Sequence, residues 1–256
     1  MGLFDTSADK YDRFMGRYST KLAPALADAS GVTAGMRVLD VGCGPGGLTS
    51  VLSATLGEDH VAAIDPAEQF VEQCSRLNPG ADVRRGDAED LPWADDEFDA
   101  ALACLVVAFM RDADAGVQEM ARVTKPGGTV AACMWDLAGG GMTMLKTFWT
   151  AYEEVAPGSK RAERRIGTRS GDIAGLLERA GLTDIVDDSL TVAADYTDFD
   201  DFWIPFTLGV GPAGSALHEM TEEDQAEVRE KCRAAVPDGA FSLDATAWFA
   251  RGTVPG

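Results

Sequence analysis

Residues 36–49 read MRVLDVGCGPGGLT, and the reading of this stretch decides the fold. Val38, Leu39 and Val41 form a short apolar run of the kind buried inside a parallel sheet, with Asp40 near its end. Gly42, Gly44, Gly46 and Gly47 follow, with Pro45 among them. Leu48, Val51, Leu52 and Leu56 then recur at helical spacing. The stretch therefore reads as strand, glycine loop, helix. Glycine serves where a backbone must turn sharply or lie against a ligand, because a Cβ blocks both. The helix that follows starts with N–H groups lacking an intrahelical acceptor, and these face whatever fills the loop. The letters Gly42-x-Gly44-x-x-Gly47, with Asp65 about twenty residues on, also satisfy the dinucleotide-binding fingerprint. The loop alone therefore leaves its ligand open.

The pattern continues outward from the loop. Residues 60–64 read as a second strand ending at Asp65, and Pro66 suits the first position of a helix carrying Phe70, Val71, Cys74 and Leu77. A short strand over 81–85 ends in Gly86-Asp87. A strong apolar run covers 98–109, a helix carries Val117, Met120 and Val123, and residues 125–128 read as a turn before a strand over 129–135. Strands alternating with helices imply a parallel sheet whose ligands sit beyond the carboxyl ends of the strands. Asp40, Asp65, Asp87 and the strand end near Cys104 all fall there, so four strand ends point to one crevice.

The flanking segments are less regular. Residues 4–30 read as two helices, with Ser7 and then Ser19 or Thr20 as caps. Gly139-Gly140-Gly141 reads as a hinge before a helix over 142–155. A helix over 171–180 and a strand over 183–193 follow. Residues 197–236 read as an insertion carrying Phe199, Phe202, Trp203, Ile204 and Phe206, then a helix opened by the capping box Thr221-Glu222-Glu223-Asp224. A last strand follows over 241–249, and a strand pair at the end with so long a connection suggests an antiparallel edge on the sheet. These add up to seven strands. The aromatic residues of the insertion suit either a core or a substrate pocket.

Composition narrows the partners. The net charge is −20 over 256 residues. Such a surface opposes nucleic acid, whose binders cluster Lys and Arg on phosphates, and opposes an anionic membrane. The only basic cluster lies within 160–169. The first residues, MGLFDTSADKYDRF, lack a basic and apolar leader, and no window approaches a membrane span, so a cytoplasmic location is expected. The five cysteines form no CxxC pair, so neither a metal site nor a disulfide framework is expected. Of the two histidines, His60 suits a structural place and His218 a surface one.

Five segments together resemble a class I S-adenosylmethionine-dependent methyltransferase, of the broad group that includes the ubiquinone and menaquinone methyltransferases. They are the VLDVGCGPGGLT loop, Ile64-Asp65-Pro66, residues 86–92 reading GDAEDLP, Phe98-Asp99-Ala100, and residues 122–128 reading RVTKPGG. The resemblance is clear from Tyr11 to about Trp135 and architectural beyond. It implies a Rossmann-like α/β fold: one domain over 1–256, with a mostly parallel seven-stranded sheet, an antiparallel last strand and helices on both faces. Within it lie a helical lid over 1–33, a cofactor core over 34–136, and insertions over 137–170 and 197–236 that close over the substrate.

It implies S-adenosylmethionine as cofactor, with Gly42, Cys43 and Gly44 against its methionine part. Asp40 would orient the loop or receive the ammonium. Asp65 would accept both ribose hydroxyls. Pro66 would pack on the adenine. Asp87, following Gly86, would take its amino group and the Ala88 N–H a ring nitrogen. Cys104 and Leu105 would line the floor, and Tyr11 and Arg17 would belong to the lid, Arg17 pairing with the cofactor carboxylate. The implied function is methyl transfer to a small, partly apolar acceptor by a monomer or homodimer. The alternatives are a module that binds cofactor without catalysis and an NAD-dependent enzyme. No catalytic base is evident, since residues 105–109 read LVVAF.

Overall fold

A computed structural model describes residues 12–158 and 165–256. The chain divides into two compact units. One comprises residues 12–21, 137–158 and 191–246, and the other Leu22–Asp136, Arg165–Leu190 and Ala247–Gly256.

The strands are β1 (Val38–Val41), β2 (Val61–Asp65), β3 (Asp82–Arg85), β4 (Phe98–Cys104), β5 (Thr124–Trp135), β6 (Thr183–Tyr196) and β7 (Phe241–Thr253). They form one seven-stranded sheet in the order β3-β2-β1-β4-β5-β7-β6. The first five pair in parallel, and β7 runs antiparallel to β5, from Thr129 opposite Thr253 to Trp135 opposite Ala247. Strand order thus reverses between β1 and β4, where open α/β sheets take their ligands. Every residue of β1 and β2 is buried, as continuous apolar runs in a two-sided sheet require. Alanines at 62, 101, 103 and 132 keep one face low. Val117, Met120 and Val123 of one helix and Ile173, Leu176 and Leu177 of another pack on that face.

Several boundaries differ from the sequence reading, each for a local reason. The strand within the apolar run 98–109, by contrast, ends where the sequence places it, near Cys104. Leu105 then takes φ 63°, and Val107–Phe109 form a single tight turn. Residues 125–128 are not a free turn but a bulge inside β5: Thr124 faces Phe98, and pairing resumes at Thr129 opposite Ala100. The helix after β2 begins at Glu68 rather than Pro66, because the Asp65 carboxylate accepts the Ala67 N–H at 2.9 Å and holds the intervening residues in a turn. Ser19 and Thr20 do not cap a helix. Both lie inside α1 (Arg17–Ala29), where their hydroxyls donate to the Gly16 carbonyl. The Ser7 cap lies outside the described residues.

In the first unit the aromatic residues of 197–236 form a core. Phe206 stacks on Phe148 at 4.6 Å and meets Phe14 edge-on at 5.5 Å, with Phe202 at 5.4 Å. Phe202 and Phe206 are fully buried and Trp203 nearly so. The helix Glu222–Ala235 opens with the expected box: Thr221 Oγ1 accepts the Asp224 N–H at 3.2 Å and donates to the Asp224 carboxylate at 2.8 Å. Thr221→Ala is expected to cost about 1 kcal/mol, read as a lowered denaturant midpoint with an unchanged slope.

Candidate cofactor site

The site belongs to the second unit and starts from β1. Asp40 is completely buried. Thr49, in the first turn of the helix Gly47–Leu56, donates its hydroxyl to Asp40 Oδ2 at 2.6 Å. Asp40 thus ties the strand to the helix across the glycine loop. Of its two expected roles, this geometry favours orienting the loop. Its Oδ1 is buried without a hydrogen-bond partner.

Burial pushes the Asp40 carboxyl up to about 7; the Thr49 bonds oppose the shift and the Asp65 charge adds to it. The folded value lies above the unfolded value of 3.8, so the folded state holds the extra proton between the two. Stability from this group is complete below about pH 4 and is lost as pH rises towards 7. Wild type is therefore expected to lose stability over that interval relative to Asp40→Asn. Parallel melts from pH 4 to 7 check this; curves that keep a constant separation would refute it.

The loop is pinned from its other side by β2. The N–H groups of Gly42 and Cys43 both donate to the Ile64 carbonyl, at 2.8 and 3.0 Å. Gly42 has φ 74°, and a Cβ there would lie 2.3 Å from Val106 Cγ2. The loop therefore lies directly against the segment that follows β4. Gly44, at φ 52°, differs: nothing lies within 4 Å of a Cβ built on it. One glycine is required by packing, and the other opens onto free space.

Asp65 closes the arrangement. Its Oδ2 accepts the Gly44 N–H at 3.0 Å and its Oδ1 accepts the Ala67 N–H at 2.9 Å. The Gly86 N–H donates to the Asp65 carbonyl at 3.2 Å. Burial raises the Asp65 pKa, and the two backbone bonds oppose the rise. Each carboxylate oxygen has two acceptor positions and spends one on these N–H groups, which leaves a pair for two hydroxyls.

Asp40, Gly42, Cys43, Gly44, Asp65 and Gly86 are thus held together by short-range bonds, as their positions at strand ends lead one to expect. Asp87 follows, half exposed, in an ion pair with Arg111 at 2.9 Å. Glu89 accepts the backbone N–H groups of Arg111 and Asp112 at 2.7 and 3.0 Å. Pro66 presents an exposed ring, and Ala88 is half-buried. Cys104 ends β4, and the Leu105 N–H donates to the Cys133 carbonyl at 2.9 Å. Positive φ at Leu105 is strain of a kind that clusters at ligand sites.

Tyr11 lies outside the described residues. Arg17 belongs to the first unit, where its guanidinium grips Asp201 at 2.7 and 3.3 Å, donates to the Asp195 carbonyl and lies over the Tyr196 ring. His218 is exposed, its Nε2 bonded to the Thr207 carbonyl at 3.0 Å, and His60 sits half-buried in the turn before β2. Sequence reasoning missed Thr49, Val106 and Arg111. Thr49 alone had a legible signal, as a hydroxyl in the first turn of the helix after the glycine loop.

S-adenosylmethionine suits what these residues offer. The open side of Gly44 leaves room for its backbone-hugging part, and Asp65 offers a pair of acceptors for its ribose. Residues 39–132 match the family described as "Methyltransferase domain". Residues 39–132 thus carry a methyltransferase domain.

Relatives of the methyltransferase domain extend the picture. Demethylmenaquinone methyltransferase of Desulfitobacterium hafniense is 33% identical over 131 residues, 48% of this chain and 51% of that one. The chain thus spans about half the length of that relative. An uncharacterized Mycobacterium tuberculosis protein is 29% identical over 248 residues, 90% of this chain and 86% of that one. A solved chain from Anaeromyxobacter dehalogenans, described as a type II methyltransferase, is 20% identical with a TM-score of 0.67, covering 92% of this chain and 96% of that one. That last likeness shows a shared fold.

Proposed function

We propose that this protein transfers a methyl group from S-adenosylmethionine to a small, partly apolar acceptor. The observation that carries the proposal is the seat at Asp65: a buried carboxylate, fixed by the Gly44 and Ala67 N–H groups, beside a loop with open space at Gly44. When bound, the cofactor supplies a methyl group on a sulfonium, which is electrophilic without further activation. Asp65 accepts the ribose hydroxyls. The backbone of Gly42, Cys43 and Gly44 supports the methionine part, with Asp40 holding that loop through Thr49. Pro66 packs on the adenine, Asp87 and Ala88 read its edge, and Cys104 and Leu105 form the floor. Arg111 fixes Asp87 through their ion pair.

Residues 105–109 supply no general base, so proximity and alignment provide the acceleration. The acceptor class is supported by the relative named for demethylmenaquinone, a partly apolar molecule, and by a net charge of −20 that opposes polyanions. Transfer of labelled methyl from S-adenosylmethionine to a panel of quinols, phenols and small carboxylic acids tests this. Label in at least one partly apolar member is the expected result. Label only in nucleic acid would overturn the acceptor class. Cofactor binding without turnover across the panel would favour the non-catalytic reading.

A further inference from the structure

The five cysteines are scattered in sequence, yet the sheet brings two of them into contact. Cys104 ends β4, and Cys133 is its register partner on the parallel neighbour β5. Partners in adjacent strands project to the same side, and here the two Sγ atoms lie 3.8 Å apart. Neighbouring strands are spaced about 4.8 Å, which falls within the Cα separations that a disulfide spans. Cys133 is fully buried, whereas Cys104 is the one cysteine of the five that is not buried. Cys104 is thus partly exposed as a residue, and Cys133 is shielded beside it. The next rung of the ladder is the Leu105 N–H bond to the Cys133 carbonyl, at the residue with φ 63°.

We propose that Cys104 and Cys133 form a reversible oxidation site, closing to an intramolecular disulfide between the ends of β4 and β5. With a peroxide as oxidant the step balances in two stages. The Cys104 sulfur takes one peroxide oxygen to become a sulfenic acid, and the other leaves as water. The Cys133 thiol then attacks that sulfur, the S–O bond breaks, and the hydroxyl departs with the thiol proton as a second water. Two cysteines are oxidised and one peroxide is reduced. Closing contact to a bond of about 2.05 Å pulls on both strand ends. A strained bond of this kind is readily reduced by small thiols.

The test uses the full chain, treated with hydrogen peroxide, alkylated and digested with trypsin. Arg111 and Arg122 lie between the two cysteines, so cleavage leaves them on separate peptides unless the bond joins them. The expected result is a linked pair holding Cys104 and Cys133, two hydrogens lighter than the separate peptides and released by dithiothreitol. Cys104→Ser should abolish the link and leave Cys133 free to alkylate. Full alkylation of both after peroxide, a sulfinic acid on Cys104 without a link, or a link from either to another cysteine would overturn the proposal.

One consequence rests on the proposed function: with Leu105 displaced, the oxidised protein should bind S-adenosylmethionine at least about tenfold more weakly than the reduced protein. Equal affinities would remove that consequence. Failure of the reduced protein to bind would strike the proposed function instead, and the presence or absence of the mapped bond would still decide the thiol pair.

Discussion

Asp65→Ala is expected to weaken S-adenosylmethionine binding by about a hundredfold or more, because hydrogen bonds to a charged acceptor contribute roughly 1.5–3 kcal/mol each and two are lost. The wild-type carboxylate is nearly buried and already oriented by two N–H donors, so a ligand has little left to order on arrival. The alanine variant also frees the Gly44 and Ala67 N–H groups, which loosens the loop and the helix start together. Asp65→Asn separates the two effects. Its single amide oxygen can still take one N–H, but the amino group offers no acceptor for a second hydroxyl. Calorimetric titration with S-adenosylmethionine, S-adenosylhomocysteine and NAD is the measurement. Undiminished binding in Asp65→Ala would refute the seat, and binding of NAD alone would refute the methyltransferase reading.

Gly42→Ala is expected to be strongly destabilising. The new Cβ would sit 2.3 Å from Val106 Cγ2 and 2.8 Å from its Cβ, at a backbone φ of 74°. The left-handed conformation costs a non-glycine residue about 1–2 kcal/mol. Forcing aside a packed side chain adds roughly 1–3 kcal/mol. The sum, about 2–5 kcal/mol, is a large part of the stability of an ordinary domain. Gly44→Ala forms the control. It bears the backbone cost at φ 52° but meets no atom within 4 Å, so its stability loss should be the smaller one. Its methyl enters the open space beside Asp65, so its main effect should appear in cofactor affinity. Adding Val106→Ala to Gly42→Ala should restore the steric part and not the backbone part. Denaturant midpoints and titrations on the four proteins decide the matter; equal stability of the two glycine variants would show that the loop is not packed as described.

These two experiments bear on different layers of the same stretch. Asp65 was legible because a carboxylate at a strand end, about twenty residues past a glycine loop, has a place in any sheet of this kind. The apolar runs 38–41 and 61–64, the helical spacing after the loop and the repeated strand–helix alternation were legible for the same reason. Periodicity records which residues lose contact with water, and in a two-sided parallel sheet those runs are continuous.

The sequence by itself determined the alternation of elements, the parallel sheet with its antiparallel return strand, and the carboxylates that gather at the strand ends. These follow from local pattern, because burial and backbone geometry act over a few neighbouring residues. Only the tertiary structure decided that Asp40 is bound by Thr49 and titrates near neutrality, that Gly42 is held by Val106 while Gly44 stands open, that Arg17 is taken by Asp201, and that Cys104 lies against Cys133. The Val106 and cysteine contacts join segments that become neighbours only through strand order and register, and the energy of all such contacts depends on distances and burial that no local pattern encodes.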